Sequence, residues 1–382
     1  MLRAVVKIVV NLSQSYSARG ALTVSHLSTS RMAGLLTGLC AWFCFSDSVM
    51  AWNAEGHMVV AQIAYNHLTP AVKAKCDALV AVPLQYASAG TSNFVTAAVW
   101  ADEFKGQLGS GIWHYIDLPF SLDGTSTNSF VPASFDVVQA INRSISTLGS
   151  GTSAQTNQAT YLRYLLHFVG DIQQPLHSSE AFYASQPNGD AGGNGFYLTG
   201  NWTKLHYLWD DGGGYLTNSM YRPLSSASQA TLNDKVATIE ADYPYTPNTG
   251  RIPDPMSWAQ EGLELAKTVT YVGITQNTTP STAYLNSTQA TTEQRMAAGG
   301  HRLADLLNTL FTTNAVSLTC FPTKGTFGFS WSTIPGRIYY VQWKQQLGDS
   351  TWNALSNITA AGNSASFSEA PQATQRYYQV AQ

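Results

Sequence analysis

Charged residues are scarce in this chain, at 11%, and neither sign dominates: 20 Lys+Arg stand against 23 Asp+Glu, for a formal charge of -3. That balance excludes a protein that coats nucleic acid with its own cationic surface. Any contact with phosphate then needs positive charge from elsewhere, such as bound metal. Cysteine is also sparse, at 4 in 382 residues, which excludes a small disulfide-built scaffold. The apolar run at 34–46 holds about a dozen residues, too few for a comfortable membrane span. No repeat period shows between residue 52 and about residue 312. Against these absences, 44% of residues are hydrophobic and 12% aromatic, enough for a packed core and incompatible with wholesale disorder. The length suggests two domains, or one large domain and a small one.

The apolar run reads as an address. Arg31 precedes it and Val49-Met50-Ala51 follows, the order of a secretory signal peptide cut after Ala51. Residues 1–51 are therefore expected to be removed, with Met32 an alternative start and a short N-terminal anchor the competing reading. The expected location is secreted or periplasmic, without membrane attachment after cleavage. Processing would leave 16 Lys+Arg against 22 Asp+Glu, a charge of -6, and only Cys76 and Cys320. Export permits a bridge between them, and two buried thiols fit equally well.

From residue 52 to about 312 the pattern predicts mainly helix. Asn53–Leu68 is apolar-rich and closes at Thr69-Pro70, and Pro70 suits the first turn of a second helix through Val80. Further helices are expected over Asn93–Lys105, Pro132–Leu148, Thr156–Gln173, Ser257–Val272 and Glu293–Phe311. A Gly/Asn-rich loop lies between Ser185 and Asn201. After about residue 313 the composition changes to β-type runs at Phe327–Trp331, Ile338–Trp343, Ser364–Ser368 and Tyr377–Val380, split by turn signals such as Pro335-Gly336. Residues 316–382 are read as a small fibronectin-like β-sandwich. It holds no histidine and no dense acidic cluster, so attachment or spacing is its expected role.

The chemistry lies in the helical part. Seven histidines remain after processing: His57, His67, His114, His167, His177, His206 and His301. In His167-Phe-Val-Gly-Asp171 an imidazole and a carboxylate stand four residues apart, on one face of a helix. His206-Tyr-Leu-Trp-Asp210 repeats the arrangement, and His177 follows just after Pro175. Either pair alone is well explained as a buried His–Asp hydrogen bond. Two pairs and a flanking histidine are a plausible supply of zinc ligands.

The ordered set of motifs resembles the zinc-dependent, single-strand-specific nucleases of the S-one/P-one type. It begins with Trp52-Asn-Ala-Glu-Gly-His57. Trp100-Ala-Asp102, Trp113-His114-Tyr-Ile-Asp117, the run from His167 to His177, Gly192-Gly193-Asn194 and Leu205-His206-Tyr-Leu-Trp-Asp210 follow in order. The resemblance covers about residues 52–312 and implies a helical fold of the zinc nuclease and phospholipase C kind, with three zinc ions in a cleft. It would give the first ion Asp102, His114, His167 and Asp171. The second would take the α-amino nitrogen and carbonyl oxygen of Trp52, His57, and Asp171 as a bridge. His177, His206 and Asp210 would hold the third. A free α-amine can donate a lone pair and an amide nitrogen cannot readily do so, so the precursor is expected to lack a complete site.

The same resemblance implies an endonuclease acting on single-stranded DNA or RNA, leaving 5′-phosphates, with 3′-nucleotidase activity and no stable protein partner. Zinc suits this chemistry because it lowers the pKa of bound water and stabilises charge on phosphoryl oxygens. Lys105 would stabilise transition-state charge, Asp102 would also orient the attacking water, and Asn194 would contact the phosphate region. Tyr115 would stack on an unpaired base and Asp117 would accept from its edge. Tyrosine stands where phenylalanine is common in the family. His67 and His301 are left over and read as structural or surface residues. Two rivals remain. A zinc phospholipase C is disfavoured because Asp210 stands where that pattern has Glu, and because His57 follows Trp52 so closely. An inactive secreted zinc- or carbohydrate-binding protein is disfavoured by the intact ligand set and Lys105.

Overall fold

Asn53 opens the first helix: its side chain accepts from the backbone N–H groups of Glu55 and Gly56, two donors that the first turn leaves without partners. The computed structural model describes residues 8–9, 52–150, 153–217, 220–246 and 254–313. Beyond these it describes 321–323, 326–332, 338–346, 349, 351–359, 361, 364–370 and 376–381. The rest of the expected leader, including Ala51, lies outside the described residues, as do Cys320 and the Pro335-Gly336 turn. Helices dominate: α1 (Ala54–His67), α2 (Pro70–Val80), α3 (Phe94–Ala97), α4 (Trp100–Glu103), α5 (Lys105–Leu108), α6 (Val137–Leu148), α7 (Gln155–Asp171), α8 (Leu205–Asp210), α9 (Ser226–Asp242), α10 (Pro255–Leu265) and α11 (Thr282–Thr313). No described helix is long and apolar enough to cross a membrane.

Two long helices enclose the centre. One face of α1 packs on α11, and α7 lies against α1, α6 and α11. Gly300 is what lets α1 and α11 approach: a Cβ there would sit 2.4 Å from Ile63 Cγ2. Trp52, Trp100, Phe94, Phe168, Leu162, Leu165 and Met58 fill the space between the helices, all buried. A smaller cluster around Trp209, Phe196, Tyr271 and Tyr284 supports α8 and the glycine-rich loop. Cys76 faces the core as a free thiol, and burial pushes its pKa up.

Several expected elements differ in extent. The helix expected over Asn93–Lys105 is three short pieces, because the chain turns at Val99 (φ -93, ψ -7) and again at Phe104 (φ -117, ψ 11). The helix expected from Pro132 starts at Val137. There Asp136 and Gln139 form a capping box, each side chain accepting from the other's backbone N–H, and that local stop outcompetes the apolar pattern before it. The helix expected to run to Val272 ends at Leu265 and continues as a π-turn over Ala266–Thr270. The helix expected from Glu293 begins at Thr282. Helix α9 was not expected at all: it buries only Leu232, Val236 and Ile239, too thin a stripe to stand out.

A pair of parallel strands, β2 (Pro119–Ser121) and β3 (Glu180–Phe182), ties the segment after His114 to the segment after His177. The other strands are the short β1 (Ile8–Val9) and, after residue 320, β4 (Phe321–Thr323), β5 (Thr326–Ser332), β6 (Ile338–Lys344), β7 (Asn353–Thr359), β8 (Ser364–Glu369) and β9 (Tyr377–Ala381). They form antiparallel sheets ordered β4-β5-β8 and β1-β9-β6-β7. Phe329 and Trp331 of the first and Tyr339, Val341 and Tyr378 of the second share one buried cluster.

Candidate metal centre

Helix α7 carries the first pair. His167 and Asp171 are four residues apart, so their side chains leave the same face, and both are fully buried. His57 reaches them from the start of α1, Asp102 from α4, and His114 from a 3-10 turn over Gly111–His114. Asp171 Oδ1 lies 3.4 Å from His57 Nε2, while its Oδ2 lies 3.0 Å from His114 Nδ1 and 3.2 Å from His167 Nε2. Asp102 Oδ1 is 3.7 Å from both His114 Nδ1 and His167 Nε2, and 3.5 Å from Lys105 Nζ. One carboxylate, Asp171, thus belongs to both sides of this cluster.

A second group forms from His177, in the Pro175–Ser178 turn, and His206 and Asp210 of α8. His177 Nε2 lies 3.1 Å from His206 Nε2, which lies 3.6 Å from Asp210 Oδ1. The groups His57/His167/Asp171, Asp102/His114/His167 and His177/His206/Asp210 each keep their ligand atoms within 4.8 Å of one another.

Backbone contacts aim the imidazoles. Nδ1 donates to Ala98 O from His167 (2.6 Å), to His114 O from His177 (2.8 Å) and to Gly192 O from His206 (2.6 Å). Ala98 closes α3, where carbonyls lack helical partners, so the broken helix supplies the acceptor. With Nδ1 protonated, a neutral His177 or His206 ring has only a lone pair at Nε2. His177 and His206 then point two acceptors at each other across 3.1 Å, an arrangement that repels unless a cation lies between them.

Other polar atoms ask for the same thing. Both ring nitrogens of His57, His114 Nε2, Asp102 Oδ2 and Asp171 Oδ1 are buried without a hydrogen-bond partner. Buried polar groups in folded proteins are normally paired. A set of imidazoles and carboxylates left in this state fits zinc ions.

Charge in the cluster is correspondingly polarised. Burial, then its neighbour His167, push His57 down to about 3. Burial also opposes charge on His167, but Asp171 and Asp102 outweigh it and raise its pKa to about 9. Burial opposes charge on Asp171 and Asp102 too, and the surrounding histidines overcome it and hold both carboxyls below the usual range. Asp210 moves the other way: burial pushes it well up, against a hydrogen bond from Gln174 Nε2 at 2.8 Å.

The remaining expected residues surround these groups. Trp52 is buried, with its indole N–H donating to Gly170 O in α7 (3.1 Å), and Asn53 N–H donates to Asp210 O in α8 (3.1 Å). Trp52 and Asn53 therefore touch both α7 and α8. Tyr115 and Asp117 follow His114, half-buried, in an extended stretch in which Ile116 N–H donates to His177 O. Burial, then Asp136 and Asp190, push Asp117 up to about 6. Asn194 lies on the glycine-rich loop, its amide donating to Ala191 O at 2.9 Å.

That loop is anchored by residues the sequence reading passed over. Glu180 accepts from the N–H groups of Ala191 (3.0 Å) and Gly192 (3.1 Å), and Asp190 accepts from Gly193 N–H (3.0 Å). Gly192 sits at φ +58, and a Cβ there would lie 2.5 Å from Leu176 O. Gln174 was also missed. The only hint was its place in the polar Gln173-Gln174 pair between Asp171 and His177.

Comparison with known proteins agrees with this geometry. A family model described as S1/P1 Nuclease matches residues 52–312. Endonuclease 3 of Arabidopsis thaliana is 28% identical over 284 residues, covering 69% of this chain and 90% of that protein. Nuclease P1 of Penicillium citrinum is 28% identical over 284 residues, covering 67% and 97%. Nuclease S1 of Aspergillus oryzae is 27% identical over 300 residues, covering 72% and 98%. With the family's domain spanning both ligand groups, the chain belongs to the S1/P1 nuclease family and is a nuclease that hydrolyses phosphodiester bonds.

Proposed function

We propose that the chain, freed of residues 1–51, is a secreted or periplasmic zinc-dependent endonuclease that cuts single-stranded DNA or RNA to 5′-phosphorylated products and dephosphorylates 3′-nucleotides. The observation that carries this reading is the convergence of His57, Asp102, His114, His167 and Asp171 beside His177, His206 and Asp210, with the ring nitrogens of His57, His114 Nε2 and Asp102 Oδ2 buried and without a hydrogen-bond partner. We assign three zinc ions. Asp102, His114, His167 and Asp171 hold the first. Asp171, His57 and the Trp52 amine and carbonyl hold the second, and His177, His206 and Asp210 the third. Zinc there supplies water of lowered pKa and a Lewis acid for phosphoryl oxygens.

The chain's own residues do the rest. Cleavage after Ala51 turns the Trp52 nitrogen from an amide into an amine, and the contacts of Trp52 and Asn53 with Gly170 and Asp210 hold that end beside the ligands. Asp102 keeps Oδ1 toward the histidines and Lys105, and its Oδ2, without a partner, orients the attacking water. Lys105 offsets the negative charge that builds on the phosphoryl oxygens. Tyr115 stacks on a base that has left its duplex, a contact worth about 1–3 kcal/mol, and Asp117 accepts from the base edge. Asn194 presents its amide to the phosphate from the loop fixed by Glu180. This local positive charge offsets the negative charge of the processed chain. The two sheets after residue 320, with their shared core, we read as a fibronectin-like sandwich serving attachment.

The test incubates protein starting at Trp52 with single-stranded DNA, a 3′-nucleotide and phosphatidylcholine. Cleavage of the first two supports the proposal. Cleavage of lipid alone would make the protein a phospholipase, and no turnover with zinc present would make it a binding protein.

A further inference from the structure

The two leftover histidines meet. His67 ends α1 and His301 lies in the middle of α11, and both turn toward Glu240 near the end of α9. His67 Nε2 contacts Glu240 Oε1, and His301 Nε2 lies 3.9 Å from the same oxygen. The three ligand atoms lie within 4.8 Å of one another. His57 and His67 are ten residues apart on α1, about 15 Å along the helix, so this cluster is separate from the candidate metal centre.

A plain hydrogen-bonded His–Glu pair accounts for His67 but not for His301. Its Nε2 is buried and has no hydrogen-bond partner, although a carboxylate stands nearby. Nearby contacts hold the Glu240 carboxylate and the backbone of His67. Asn66 Nδ2 donates to the other Glu240 oxygen at 3.4 Å, and Asn308 Nδ2 donates to His67 O at 3.0 Å. The Tyr245 ring covers His67 at 4.0 Å and His301 at 5.1 Å between centroids, and its hydroxyl is tied to Asp305. The three side chains keep 17–25% of their surface exposed, so the group lies near the surface rather than in the core.

From this juxtaposition we propose a further, mononuclear zinc site formed by His67, Glu240 and His301, which pins together α1, α9 and α11. Two imidazole nitrogens and one carboxylate select zinc or a similar transition metal over magnesium or calcium. Tetrahedral ligands at about 2.0–2.1 Å from zinc lie about 3.4 Å apart, and small rotations of these partly exposed side chains reach that spacing. The inference goes beyond the nuclease reading and does not depend on it.

To test it, protein starting at Trp52 is loaded with zinc alone and its zinc is counted by native mass spectrometry, beside the Glu240→Gln and His301→Gln variants. Each variant is expected to carry one zinc fewer than the parent and to cleave single-stranded DNA unchanged. Equal zinc counts in folded variants would overturn the site. If the variants fail to fold, crystals of the unmutated protein decide. An anomalous peak at the zinc edge among His67, Glu240 and His301 supports the site, and its absence there overturns it. A parent protein that bound this ion yet cut no nucleic acid would sink the nuclease reading alone.

Discussion

Replacing Gly170 by alanine sets two effects of opposite sign against each other. Gly170 precedes Asp171 in α7, and a Cβ there would lie 2.9 Å from His57 Nδ1 and 3.3 Å from its Cε1. His57 has little room to retreat: it is fully buried and its ring stacks on His167 at 3.9 Å. Helix propensity favours alanine by about 1 kcal/mol. Overpacking a well-filled interior costs about 1–3 kcal/mol. The net loss of stability is then about 0–2 kcal/mol, which a folded domain survives. Activity should suffer more, because His57 is pushed relative to Asp171 Oδ1, now 3.4 Å from its Nε2. Misplacing a reacting group by 1 Å can cost about a hundredfold, so a shift of a few tenths of an ångström predicts about a tenfold loss of kcat/KM. The assay pairs thermal melts with initial rates on a single-stranded oligonucleotide. Parental rates in Gly170→Ala would refute the reasoning, whatever the melting temperature.

Other perturbations separate the remaining parts. Gln174→Leu removes the donor to Asp210 Oδ1 and the acceptor for Leu176 N–H. Losing such a supporting contact weakens metal affinity about 10–100-fold, which competition with a chelator would measure. Asp117, with its carboxyl raised to about 6, becomes protonated as pH falls from 7 to 5 and loses acceptor sites for the base. KM for single strands should rise over that window, and Asp117→Asn should flatten the profile. Because its folded pKa lies above the unfolded value, the charged carboxylate costs stability as pH rises from about 4 to 6, and Asp117→Asn should remove that slope in melts. Stripping zinc should lower the melting temperature, since ligands that bind only the folded state stabilise it. Adding two residues before Trp52 should reduce bound zinc, as elemental analysis would show.

The parts of the site legible in the sequence were those set by local geometry. His167 with Asp171 and His206 with Asp210 follow from helical spacing, and Pro70 and Thr69 mark the start of α2 because a fixed φ and a side-chain cap belong at a helix start. Features set by tertiary packing stayed hidden. The break after Ala97 matters because Ala98 O receives His167 Nδ1, a partner 69 residues away. Glu240 meets His67 across 173 residues, on a helix whose apolar stripe is too thin to announce it. Gln174 and Glu180 act by holding Asp210 and the Gly192 loop, and nothing in their residue types alone signals that work.

The central claim is that the buried histidines and aspartates hold zinc for phosphodiester hydrolysis. Its most direct test takes protein starting at Trp52, strips its metal, and follows cleavage of a labelled single-stranded oligonucleotide before and after zinc alone is restored. The account predicts no cleavage without metal and recovery with zinc, giving fragments with 5′-phosphates, and no recovery in Asp171→Asn. Cleavage by the metal-free protein, or full recovery in Asp171→Asn, would contradict it.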